Sequence, residues 1–229
     1  GGSGSIVINN GMVVANATGN GAAIGGGTRG GGGTVTIANG KVEATASGAG
    51  ASIGGGNAGT GSTVMVTGGE VKANANIGGG EGATVQGSLT VRGTGTSVSL
   101  VKGTLSELIG GNITVEDGAE VLVEMDENVT VPRGQTLTIP ANVTLTIASG
   151  KTLTIEGKLE VNGTINGKGE LYCFKAEEGG VIGADKIDQS GGLKYTPPCP
   201  HRWPEGKWEK YNPTDHKKVC LDCGAIKTE

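Results

Sequence analysis

The chain has 229 residues, enough for one or two domains with a sizeable core. Its formal charge of −4 gives no basis for electrostatic capture of nucleic acid, and no apolar run is long enough to span a membrane. Glycine is the outlier at 47 residues, roughly three times its usual share, yet no G-X-Y period accompanies it, which excludes collagen.

The first 82 residues are repetitive. Residues 1–29 (GGSGSIVINNGMVVANATGNGAAIGGGTR) are followed by a similar copy at 30–58, a period of 29. A third copy starts at Gly59 and reaches its own IGGG at Ile77 after losing five residues. The chain opens inside a repeat with no recognisable signal peptide, so it is read as a core cut from something longer. Alignment of the copies gives apolar columns: Ile6, Val35, Val64; Ile8, Ile37, Val66; Val13, Val42, Val71; Ile24, Ile53, Ile77. Apolar and polar residues alternate within each copy, the period of a strand with one buried face. One coil cannot bury its own face, whereas a stack of coils can, so the columns predict inward ladders of a parallel solenoid. The same register sets Lys41 over Glu70 and Glu43 over Lys72, which predicts opposite charges paired between coils.

From residue 113 the spacing becomes eight: Ile113/Val115, Val121/Val123, Val129/Val131, Leu137/Ile139, Leu145/Ile147, Leu153/Ile155. Three units of one strand and one corner close a coil of 24. β-branched content and strict alternation argue against helix. The predicted class is all-β: a parallel β-helix over 1–192, with 29-residue coils in 1–82 and roughly 24-residue coils from about 113, followed by a small metal-stabilised module over 195–229. Tyr172 and Phe174, the first aromatics, are expected to plug the open end. Cys173 between them is expected to be a buried lone thiol.

Several chemistries are weighed and set aside. GxGxxG occurs at Gly25–Gly30 and Gly54–Gly59, but it recurs with the repeat and no helix follows, so it reads as a tight corner. The Thr-Leu-Thr runs at 136, 144 and 152 fall on three successive faces and make no single array. The acids Glu116, Asp117, Glu120, Glu124, Asp126 and Glu127 read as a solvated face, because a 24-residue step sets Glu124 over Ala148 and Glu116 over Pro140. No histidine precedes His201, so a Ser-His-Asp triad has no base in the solenoid. No Phe, Trp or Tyr occurs before Tyr172, so sugar contacts there must rest on Asn, Thr and backbone groups.

Composition shifts at Gly191-Gly192. Three of the four cysteines and both histidines lie beyond it. Cys199-x-His201 is separated by fourteen residues from His216-x3-Cys220-x2-Cys223-Gly224. Paired ligands on tight turns suit tetrahedral Zn²⁺, and CxxC-Gly is the stronger half. Five candidates compete for four places: His201, His216, Cys220 and Cys223, with Cys199 able to displace one. Zinc there would be structural, supplying folding energy that about 35 residues cannot bury for themselves. The alternative is a disulfide. Trp203, Trp208 and Tyr211 would pack beside the site and are the candidate platform for a carbohydrate.

The GAAIGGG and GASIGGG copies resemble the glycine-rich repeats of large bacterial surface proteins. The run VTVPRGQTLTIPANVTLTIASGKTLTIEGKLEVNG (129–163) is similar to the β-helical stretches of adhesin-like exported proteins. The tail resembles small Cys/His modules of pattern H-x-W…H-x3-C-x2-C-G, matched by His201, Trp203, His216, Cys220, Cys223 and Gly224. These resemblances imply a right-handed helix, secretion or cell-surface display, and a structural or adhesive role without catalysis. A carbohydrate-binding module is the alternative, and a polysaccharide-active enzyme ranks below it. The expected partner is a surface glycan or protein of a host, with self-association through open strand edges and no nucleic acid.

Overall fold

The structure, a computed structural model, describes residues 4–101, 112–174, 176, 180–199, 209–210, 216–219 and 226–228. The alternation seen in the sequence becomes short strands, taken up in successive passes of the chain. The first pass holds β1 (Ser5–Ile8), β2 (Met12–Ala17) and β3 (Ile24–Gly25), and the second holds β4 (Thr34–Ile37), β5 (Lys41–Ala46) and β6 (Ile53–Gly54). Next come β7 (Thr63–Val66), β8 (Glu70–Ala73) and β9 (Ile77–Gly78), then β10 (Ser88–Arg92) and β11 (Ser97–Val101). After residue 112 follow β12 (Ile113–Glu116), β13 (Glu120–Met125) and β14 (Val129–Val131), then β15 (Thr136–Ile139), β16 (Val143–Ile147) and β17 (Thr152–Ile155). The last passes hold β18 (Lys158–Val161), β19 (Thr164–Gly167) and β20 (Glu170–Tyr172), then β21 (Val181–Ile182) and β22 (Lys194–Thr196).

Each strand pairs in parallel with its counterpart one pass later. The longest sheet runs β2-β5-β8-β11-β13-β16-β19, and the others are β1-β4-β7-β10-β12, β3-β6-β9, β14-β17-β20-β22 and β15-β18-β21. The described residues are thus all-β, with parallel sheets compatible with a β-helix and one 3₁₀ turn at Ala184–Lys186. In the tail, β23 (Glu209–Lys210), β24 (His216–Val219) and β25 (Ile226–Thr228) form a three-stranded antiparallel sheet.

The apolar columns meet as expected. Ile6 pairs with Val35 and Val35 with Val64; Val13, Val42 and Val71 stack likewise, as do Ile24, Ile53 and Ile77. From the second pass on these side chains are fully buried, each stabilising the fold by about 1.5–3 kcal/mol. Glycine lets the third sheet close. At Gly54 φ is 140°, and a Cβ there would collide with the carbonyl of Gly78 in the next pass. The turn after each IGGG is closed by backbone alone, Gly30 N–H donating to Gly27 O at 2.7 Å, so the GxGxxG pattern is a corner.

Three expectations need correction. Lys41 does pair with Glu70 and Glu43 with Lys72 in register, but the ion pairs run along the strands. Lys41 Nζ lies 3.4 Å from Glu43 Oε1, and Lys72 Nζ lies 3.2 Å from Glu70 Oε1. The four charges alternate round a square, so each lysine has an acid on two sides and side-chain reach decides. An ion pair between passes does form further on, Arg92 Nε to Glu116 Oε2 at 3.3 Å.

The step is also not a uniform 24. Val129 pairs with Leu153 at that spacing, but Leu145 pairs with Ile165 and Leu153 with Leu171, only 20 and 18 residues on. The cause is a set of two-residue corners ending in glycine: Glu156-Gly157, Asn162-Gly163 and Lys168-Gly169. At each corner both N–H groups donate to one carbonyl of the preceding pass: Val131 O, Ile139 O and Ile147 O respectively. A Cβ on any of these glycines would collide with a carbonyl of that pass.

Tyr172 and Phe174 do not plug an end. Tyr172 stands in an outward column between Thr154 and Thr196, its ring 6.3 Å from that of Phe174. A further pass covers them, and there Tyr195 ends the inward column Val129, Leu153, Leu171. Cys173 is fully buried, and that burial pushes its thiol up to about 12.

Candidate functional site

A shallow trough crosses the outer side of the longest sheet where it is formed by β13, β16 and β19. Two outward columns cross it from one wall to the floor. Leu122, Thr144 and Thr164 are in register, as are Glu124, Thr146 and Asn166. The bridge between Ile165 and Ile187 extends the sheet one rung, and Asp188 N–H donates to Ile165 O at 2.8 Å. That sets Asp188 beyond Asn166. The short threonine and asparagine side chains of β16 and β19 are half-buried, and the longer ones before and after them are exposed. The depression follows from this difference in length.

One wall is Glu120, Leu122 and Glu124 of β13, with Leu122 48% exposed. The other is the segment Asp185–Ser190, projecting from the last pass. Lys186 holds that wall in place, its Nζ donating to Asn162 O at 3.0 Å. Asp188 lines two adjoining concavities of ≈ 760 and ≈ 470 Å³. Hydrogen bonds from the Ser190 side chain and backbone hold its carboxyl below the usual carboxylate range, so it is ionised at neutral pH. Within the floor, Thr146 Oγ1 donates to Asn166 Oδ1 at 2.8 Å. This bond takes up the Thr146 proton and leaves the Asn166 amide nitrogen on the side away from Thr146.

The 24-residue step had set Glu124 over Ala148. Glu124 in fact lies over Thr146, because this step takes in the three-residue corner between β13 and β14. The acids still do not converge. Glu124 and Asp188 are three rungs apart, ~14 Å at the usual strand spacing. Glu120 and Glu124 are four residues apart on one strand, ~13 Å. Paired carboxylates that cleave glycosidic bonds stand closer, at about 5–9.5 Å.

Of the zinc candidates, His201, Cys220 and Cys223 lie outside the described residues, as do Trp203, Trp208 and Tyr211. His216 opens β24, where it pairs with Lys210. Cys199 is buried at the end of the parallel stack, and its N–H donates to Phe174 O at 3.2 Å. Among the described residues no group of three or more His, Cys, Asp or Glu could hold a metal, and no helix is long and apolar enough to cross a membrane. No protein-family model, curated protein or solved structure matches this chain.

Proposed function

We propose that this chain is a right-handed parallel β-helix closed by a small zinc module, serving as a non-catalytic structural or adhesive element of a secreted or cell-surface bacterial protein. The observation that carries this reading is the seven-stranded parallel sheet, continuous from β2 to β19, with inward columns in register along it. Such a stack fixes each pass against the next and presents long outward columns, as a stiff spacer or display surface needs. Parallel strands joined by crossovers are almost always right-handed, which supports that hand. The resemblance to adhesin-like repeats supports the location.

Zinc fits the tail through its topology. Val219 pairs with Ile226 in an antiparallel ladder, so the chain joining them carries Cys220 and Cys223. A CxxC on such a connection is a common source of two thiolate ligands. The tetrahedral set we favour is His201, His216, Cys220 and Cys223, with Cys199 able to displace one.

The test is adhesion with a catalytic control. Beads coated with the chain are expected to attach to epithelial cells or mucin above beads coated with an unrelated solenoid. A panel of plant, bacterial and mucosal polysaccharides should yield no new reducing or unsaturated ends. Turnover lost in Glu124→Gln or Asp188→Asn would replace this reading with the enzymatic one.

A further inference from the structure

We infer that the trough on β13, β16 and β19 binds a linear oligosaccharide free of anionic groups, laid along the strands. Three features point to that ligand class. The floor offers hydroxyls and carboxamides at regular intervals: Thr144 and Thr164 in one column, Thr146 and Asn166 in the next. Groups that both donate and accept match the vicinal hydroxyls of a sugar chain, and the two-residue step of roughly 6.6 Å from Thr144 to Thr146 and from Thr164 to Asn166 repeats that match along the strands. The carboxylates of Glu124 and Asp188 stand at the two ends of the second column, and a charged acceptor makes the stronger hydrogen bond to a hydroxyl. Leu122 adds an exposed apolar contact for the C–H side of a pyranose ring.

Charge sets the boundary of the class. Glu120, Glu124, Asp185 and Asp188 line the two concavities, against Lys168 and Lys186. The Lys186 ammonium is already bonded to Asn162 O. The lining is therefore net acidic, which disfavours uronates and sulfated glycans and admits neutral or amino sugars. β16 alone gives roughly 17 Å of floor, room for several linked sugars. The contacts involve no aromatic side chain, so this site is separate from any platform built on Trp203, Trp208 and Tyr211.

The experiment is calorimetric titration of the full chain with three hexasaccharides: cellohexaose (neutral), a fully deacetylated chitosan hexamer (cationic) and hexagalacturonate (anionic). The neutral or the cationic hexamer is expected to bind one per chain, and the anionic one is not. Thr164→Val and Asn166→Leu should each weaken binding about tenfold, the loss of one good hydrogen bond, with the melting temperature lowered by no more than a few degrees. Trp203→Ala and Trp208→Ala should bind like the parent. The inference is overturned if no hexamer binds at millimolar concentration, if hexagalacturonate binds as tightly, or if only the tryptophan variants lose binding. Failure here leaves the structural or adhesive reading standing, since bead attachment to a protein surface does not require this trough.

Discussion

The side-chain amide of Asn74 stands in for missing backbone beside Ala46. Its Oδ1 accepts from Ala46 N–H at 2.7 Å, and its Nδ2 donates to Ala46 O at 3.1 Å. The Ser52 hydroxyl donates to the same Oδ1 at 2.9 Å and accepts from Ala75 N–H at 2.9 Å. The third glycine-rich copy is five residues shorter than the second, so the strand that would have continued the ladder past Ala73 is absent. Asn74 supplies one acceptor and one donor in its place. Replacing Asn74 with Ala leaves both groups of Ala46 without these partners and should lower unfolding free energy by about 1–3 kcal/mol in a denaturant titration. Asn74→Asp keeps the acceptor and loses the donor, and should cost less than Ala if that account holds.

The two-residue corners predict a contrast between glycines. Gly157→Ala drives a methyl into the Gln135 and Pro132 carbonyls, whereas at Gly150 a Cβ meets open space and φ of 74° is the only strain. The first should cost about 3 kcal/mol or more, the upper end for overpacking, and the second about 1 kcal/mol. Equal losses from the two would show that the corner is not as close-packed as described.

Cys173 makes stability depend on pH in the alkaline range. Burial raises its thiol from 9.0 to about 12, so the folded state keeps a proton that the unfolded chain has lost. The stabilising contribution is whole below 9 and disappears as pH climbs from there through about 12. Tyr195 is raised too, first by burial and then by the neighbouring Cys173, and acts in the same sense. Denaturation midpoints from about pH 8 to about pH 11 should fall, and fall less steeply in Cys173→Ala. At neutral pH the thiol should resist a disulfide reagent until the chain is unfolded.

Metal content separates the tail from the stack. Protein purified without added zinc should carry one equivalent per chain by mass spectrometry. Cys199→Ala should keep that equivalent, and Cys223→Ala should lose it together with the thermal transition of the tail. No metal, together with no free thiols beyond the buried pair, would establish the disulfide alternative instead.

How much of this could be read from residues alone varied along the chain. The 29-residue copies are equal in length, so columns such as Val35 and Val64 could be aligned without knowing any corner. After residue 113 the apolar spacing of eight persists to Ile155 and hides a second signal. Gly157, Gly163 and Gly169 recur every six residues, marking corners half as long as Pro132–Gln135. Their meaning is a close approach between carbonyls and Cα atoms, which only the stacked backbone reveals. The trough was missed for the same reason. Its floor depends on Thr146 lying under Glu124, and its second wall comes from residues 185–190, where no alternation announces a strand. The tail ligands, by contrast, were proposed from spacing, and of those outside the parallel stack only the backbone of His216 is described.

Because Val35 sits between Ile6 and Val64, the length of this protein is quantised. Excising residues 34–62 would rejoin Gly33 to Thr63 and bring Ile6 against Val64 with every inward side chain still inward. Excising one residue from β4 would turn part of that strand inside out, exposing valine and burying threonine. Evolution or an engineer can therefore lengthen or shorten such a chain cheaply by whole modules, and hardly at all by fractions of one.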